Sequence, residues 1–141
     1  MRTRVYNNNK EQVFCEWRHR WVRLTPEEWV RQQLLHRLVE QFDYPASLIA
    51  VEQAITVGEA KKRCDAVVYD ASLQPMMIIE CKAETVPLTQ KTLDQAITYN
   101  RKLNVPYLIL HNGPQTLTVA IDGNSYHLTG LPRYSDLLRS E

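Results

Sequence analysis

Glycine is scarce, with only four residues in a chain of 141. They form no phosphate-cradling loop, and no Gly-x-Ser-x-Gly occurs, so P-loop nucleotide hydrolysis and serine-hydrolase chemistry have no foothold. Cysteine is equally sparse. Cys15, Cys64 and Cys81 are odd in number and lack metal-type spacing. Cys64 and Cys81 fall in strand-like stretches, which makes reduced, buried thiols in a cytoplasmic protein the expectation. The four histidines, His19, His36, His111 and His127, include no pair with zinc-type spacing. No apolar run approaches the length of a membrane span, and the N-terminus shows no signal-peptide core, so no membrane association is expected. Net charge is only +1, so any affinity for a polyanion must come from a local surface.

The remaining composition, 44% hydrophobic and 23% charged, fits one domain able to bury a core. No repeat, low-complexity tract or linker divides residues 1–141. Residues 1–12, with Asn7-Asn8-Asn9, read as a flexible, polar N-terminal arm. Cations crowd the segment before the first helix: Arg2, Arg4, Lys10, Arg18, Arg20 and Arg23, against Glu11 and Glu16. Arg18-His19-Arg20-Trp21-Val22-Arg23 interleaves cations with an aromatic ring, a pattern suited either to phosphate contact or to a solvated strand.

Thr25-Pro26-Glu27-Glu28 is a helix start, with Thr25 as N-cap, Pro26 in the first helical position and Glu28 closing a capping box. Trp29, Val30, Leu34, Leu35, Leu38 and Phe42 recur at helical spacing up to Asp43-Tyr44-Pro45. Strands are expected over Val13–Trp17, Leu48–Thr56, Arg63–Tyr69 and Met76–Lys82, the last two joined by a hairpin through Asp70–Pro75. Thr89 opens a second helix to about Leu103. Pro106–His111, Leu117–Ile121 and Tyr126–Leu128 follow as strands, with a short helix at Ser135–Arg139. A helix crossing between the Lys82 and Pro106 strands predicts an α/β fold, a mixed β-sheet flanked by α-helices.

The chemistry concentrates in Asp65, Glu80 and Lys82, spaced Asp-x14-Glu-x-Lys over two strands. Strand alternation puts Glu80 and Lys82 on one face, while Met77, Ile79 and Cys81 face the other. A charged pair at the end of an apolar strand is either a structural ion pair or a site. As a site, Asp65, Glu80 and the backbone carbonyl of Cys81 offer the hard oxygens that Mg²⁺ takes, with Mn²⁺ as a substitute. Such an ion polarises a scissile phosphate and lowers the pKa of a bound water. Lys82 would orient that water and offset charge on phosphorus. Glu28 is either a capping-box acid or a further carboxylate for the metal. Glu52, in mid-strand, is a weaker candidate for that job. Gln95 and Tyr99, at i and i+4 on the second helix, are either surface or neighbours of the site.

Four separated segments resemble one known family. They are Thr25–Gln32, Lys62–Tyr69, Ile79–Lys82 and Asp94–Asn100, in that order. They look like the N-terminal nuclease domain of type I restriction enzyme R subunits, within the PD-(D/E)xK nuclease superfamily. The resemblance runs from about Trp21 to Gly113. It implies a restriction-endonuclease-like core, Mg²⁺ held by Asp65 and Glu80, Lys82 as the catalytic lysine and Glu28 as the helix-borne acid. It also implies that Gln95 and Tyr99 are the Gln-x-x-x-Tyr motif that supports DNA contact. Cys64 stands where the superfamily often has proline. DNA-contacting cations are expected at Arg18, Arg20, Arg31, Lys62 and Arg63. An R subunit carries a helicase motor after this domain. The present chain ends at Glu141, so a nuclease without its own motor is expected, working as a homodimer or with a separate motor or specificity subunit. The competing expectation is a DNA-binding or complex-assembly module that keeps the fold without catalysis.

Overall fold

The computed structural model describes residues 1–138. Two sheets organise the chain. The first is built from β1 (Thr3–Tyr6), β2 (Lys10–Cys15) and β3 (Arg20–Arg23), paired antiparallel in that order. The second holds six strands in sequence order: β4 (Ile49–Val57), β5 (Ala60–Tyr69), β6 (Pro75–Cys81), β7 (Tyr107–His111), β8 (Thr116–Asp122) and β9 (Ser125–Thr129). Only β6 and β7 run parallel, because helix α2 (Gln90–Leu103) crosses between them. The sheet is therefore mixed, as expected.

Local chemistry sets the element ends. Thr25 caps α1 (Pro26–Phe42) by accepting from the Glu28 backbone N–H at 3.1 Å. Thr89 caps α2 in the same way through Thr92. The Asp70 carboxylate accepts from the backbone of Ser72 and Gln74, both at 2.9 Å, and so builds the β5–β6 turn. Helices cover both faces of the large sheet. Leu34, Leu35 and Leu38 of α1 pack with Ala66, Val68, Met77, Ile79 and Ile109 on one side. Leu93, Ile97 and Leu103 of α2 pack with Val67, Ile78, Leu108, Leu110 and Val119 on the other. The last described element, α3 (Tyr134–Leu138), adds Leu137 to the first cluster. The expected end of that helix at Arg139 lies outside the described residues.

The N-terminus departs from expectation. The arm foreseen over residues 1–12 is instead β1 and the start of β2. Asn7, Asn8 and Asn9, read as part of a frayed end, have φ of 41°, 58° and 67° and make the turn between the strands. Asparagine tolerates that left-handed region because its short amide bonds to nearby backbone. Among the described residues no helix is long and apolar enough to cross a membrane.

Candidate active site

One residue bends the sheet where the acids meet. Glu52 lies in the middle of β4 with φ 51°, a left-handed conformation that costs a non-glycine residue about 1–3 kcal/mol. Its register neighbours Val51 and Gln53 pair with Ala66 and Cys64, which sets Glu52 opposite Asp65, but those two form no ladder pair. The strands change sides there. Ile49 and Val51 pack beneath α1, whereas Ile55 packs beneath α2. Likewise Ala66 and Val68 face α1, whereas Cys64 faces α2. This half-turn of the pleat opens a cavity of about 360 Å³ lined by Arg31, Glu52, Lys62, Arg63, Cys64, Asp65, Glu80 and Lys82.

Asp65, Glu80 and Lys82 thus border one cavity, as the motif spacing predicts. The Asp65 Oδ2 accepts the Cys81 backbone N–H at 2.7 Å, tying β5 to the strand that carries the other two residues. Burial raises the Asp65 pKa above the ordinary carboxylate range, against the lowering pull of that hydrogen bond and of Arg31. Arg31 Nη1 stands 3.8 Å from Asp65 Oδ1 and also donates to the Asp65 carbonyl at 3.4 Å. Glu80 forms an ion pair with Lys62, which in turn lies 5.1 Å over the Tyr99 ring. Burial pushes the thiols of Cys64 and Cys81 up to about 11 and about 12, and all three cysteines are free. Those two thiols are inert at neutral pH.

Glu28, expected as a helix-borne metal carboxylate, does not line the cavity. Its two oxygens receive Arg18 at 2.7 and 2.8 Å, Arg31 at 2.6 and 3.2 Å, and Gln32 at 3.0 Å. It is only 5% exposed, and such a buried anion is tolerated because donors surround it. Burial works against its charge, but the bonds from Arg31, Arg18 and Gln32 hold its pKa below the usual carboxylate range. The same network engages Arg18 and Arg31, both expected as DNA contacts. Both point inward to Glu28, and each also reaches Glu52, at 3.4 and 3.3 Å. Arg20 and Arg63 remain exposed, and Arg63 reaches Glu52 at 3.5 Å. Lys62 is turned to Glu80 instead of outward.

Tyr99 meets the edge of the site, donating its hydroxyl to the Lys61 carbonyl. Gln95 does not line the cavity. It borders a separate recess with Asp94, Thr98, Tyr99 and Lys102 on α2. Glu52 is the residue the sequence undervalued. Its signal was an acid in the middle of a β-branched run, a place where an unpaired charge is costly.

Carboxylates of Glu52, Asp65 and Glu80 are hard oxygen donors, the kind Mg²⁺ and Mn²⁺ take, and they open into one cavity. In donor chemistry the residues fit such an ion. Among the described residues, however, no three acidic, histidine or cysteine side chains already converge on a metal-sized point. Each acid is matched by a cation instead.

The protein fold has a solved counterpart. A candidate nuclease belonging to DUF820 from Anabaena variabilis superposes with a TM-score of 0.51 at 9% identity, covering 93% of this chain and 87% of its own. A structure of a DrdV–DNA complex aligns at a TM-score of 0.43 and 18% identity, covering 77% of this chain but only 11% of that one. No curated protein matches in sequence. The family profile described as the type I restriction enzyme R protein N terminus matches residues 26–133. That span takes in α1, α2 and the whole six-stranded sheet, so the chain belongs to the family of type I restriction enzyme R protein N-terminal domains.

Proposed function

We propose that the chain is a metal-dependent nuclease domain that hydrolyses DNA phosphodiester bonds, with Mg²⁺ as its ion and Mn²⁺ as a substitute. The observation that carries this reading is the single cavity bordered by Asp65, Glu80 and Lys82. Family membership and the shared fold support it. Asp65 and Glu80 would hold the ion together with the Cys81 backbone carbonyl, and Glu52 takes the place expected of Glu28. The bound ion supplies polarisation of the scissile phosphate.

The chain's own residues do the rest. Lys82 offsets charge as it builds on the phosphoryl oxygens and orients the attacking water. The cavity lining holds four cations, Arg31, Lys62, Arg63 and Lys82, against three acids. That balance draws a phosphate towards the acids instead of repelling it. The Glu28 network keeps Arg31 in place beside Asp65, so Glu28 acts as a positioning residue. Tyr99 orders Lys62 from the side of α2, and Gln95 lies alongside as a DNA contact.

The test is plasmid cleavage with Mg²⁺ or Mn²⁺, with and without EDTA, for the wild type and for Asp65→Asn and Lys82→Ala. EDTA and either substitution should abolish cleavage; full activity in both variants removes the proposal. A second reading is favoured by the Lys62–Glu80 pair and by the burial of Glu28. It is a DNA-binding or complex-assembly module without catalysis, which would retain DNA and show no cleavage with either metal.

A further inference from the structure

The three-stranded sheet has one face without a carboxylate. Its register sets Arg4 opposite Gln12, Tyr6 opposite Lys10, Gln12 opposite Arg23 and Phe14 opposite Trp21. Strand alternation puts all of these on one side, with Arg2 next in line. Thr3, Val5, Glu11 and Val13 take the other side; Thr3, Val5 and Glu11, together with Arg4, border a recess with Leu24 and with Trp29 of α1. The first face therefore carries Arg2, Arg4, Lys10 and Arg23 with three aromatic rings and one glutamine. None of these four cations forms an ion pair among the described residues, and all are exposed.

The rings are occupied in a telling way. Arg2 lies 4.1 Å over Phe14, and Arg4 lies 4.2 Å over Trp21 and 5.0 Å from Tyr6. Arg4 Nε also donates to Gln12 Oε1 at 2.8 Å. A guanidinium laid on an aromatic face is held flat, with N–H groups left at its rim for an anion. Pre-ordering of this kind lowers the entropy lost when a phosphate binds. Single strands are bound by stacking unpaired bases on open rings. Here each ring has an arginine near its face, although Tyr6 stays half-exposed, so the face offers chiefly donors for a phosphate backbone.

We propose that this face is a second DNA contact surface, which grips the phosphate backbone of duplex DNA through Arg2, Arg4, Lys10 and Arg23. The choice of DNA rests on the nuclease reading; the acid-free face does not. The surface is joined to the cavity through one residue. Arg18, in the turn between β2 and β3, bridges to Glu28 and Glu52. A duplex held on the small sheet is thereby kept at a set position relative to the acids.

The experiment is a fluorescence anisotropy titration of a short labelled duplex, and of one of its strands alone, with the full chain in EDTA, repeated over a salt series. The variant is R2Q/R4Q/K10Q/R23Q, which keeps the rings, and thermal unfolding is used to check its fold. A control, R37Q/K91Q/R101Q/R133Q, removes the same charge elsewhere. The slope of log affinity against log salt should flatten by about 0.9 for each phosphate the variant no longer neutralises, with duplex binding weakened about tenfold or more at low salt. The control should keep the wild-type slope. An unchanged slope in the face variant overturns the proposal, and so does equal flattening in the control. Weakening confined to a single-stranded oligonucleotide overturns the assignment to duplex. Cleavage is scored separately through Asp65→Asn. An unchanged slope beside Asp65-dependent cleavage sinks this surface alone; a flattened slope in a chain that never cleaves sinks the nuclease reading alone.

Discussion

Asp65 and Cys81 are joined across two strands: the carboxylate of the first accepts the backbone N–H of the second at 2.7 Å. This bond fixes where the β5 acid stands relative to Glu80 and Lys82, which flank Cys81 in sequence. It also uses one of the two Asp65 oxygens, leaving Oδ1 to Arg31 and to whatever enters the cavity. The first consequence is for stability.

Burial raises the Asp65 pKa, so the folded chain holds that proton more tightly than the unfolded chain. Stability is then lost as pH rises from the ordinary carboxylate range through the raised folded value. Asp65→Asn keeps an acceptor for Cys81 and removes the half-buried charge. We expect it to raise Tm at neutral pH, and the gain to vanish once the pH falls below the unfolded carboxylate pKa. Thermal unfolding across a pH series checks this; a lower Tm at neutral pH contradicts it.

Glu28→Gln should have the opposite effect. It leaves Arg18 and Arg31 buried without their anion, and breaking a buried pair costs about 3–5 kcal/mol. Because the Glu28 pKa is lowered on folding, its contribution is present above the unfolded carboxylate pKa and lost as pH falls through the folded value. The deficit should therefore shrink in acid. Urea unfolding at neutral and acid pH measures both parts, and a wild-type midpoint at neutral pH would refute the structural role given to Glu28.

Lys62 competes with any ion for Glu80. Lys62→Ala should tighten Mn²⁺ binding measured by calorimetry. A partly exposed pair is worth up to about 1 kcal/mol, so the gain is about fivefold at most. Weaker Mn²⁺ binding would mean that Lys62 assists the site instead of guarding it.

Lys82→Ala should leave both fold and metal affinity in place while slowing cleavage by about a hundredfold or more, the usual loss for one group that stabilises transition-state charge. Single-turnover cleavage beside Mn²⁺ calorimetry separates the two effects. A variant that loses metal binding in step with activity would place Lys82 in ion binding.

Local features carried well from sequence to structure. Thr25 and Thr89 cap their helices through residues three positions away, and Asp70 builds its turn with Ser72 and Gln74. Such bonds lie within one turn of chain, so composition and spacing suffice to read them. The alternation of Met77, Ile79 and Cys81 against Glu80 and Lys82 was legible for the same reason, because the period of a strand is built into its backbone. The mixed sheet with helices on both faces followed from the order of those elements.

Charge partners were a different matter. Glu28 binds Arg18, ten residues away, and Arg31 reaches Glu52 and Asp65, 21 and 34 residues away. Which cation neutralises which acid depends on distances created only when the strands and α1 are brought together, and Coulomb energies in a buried site change steeply with those distances. The left-handed Glu52 and strand β1 were hidden likewise. One reverses the strand faces under α1 and α2, and the other consists of exposed residues with no apolar stripe to announce them. Short-range hydrogen bonding wrote the elements into the amino-acid order, whereas long-range packing chose the ion pairs that line the cavity.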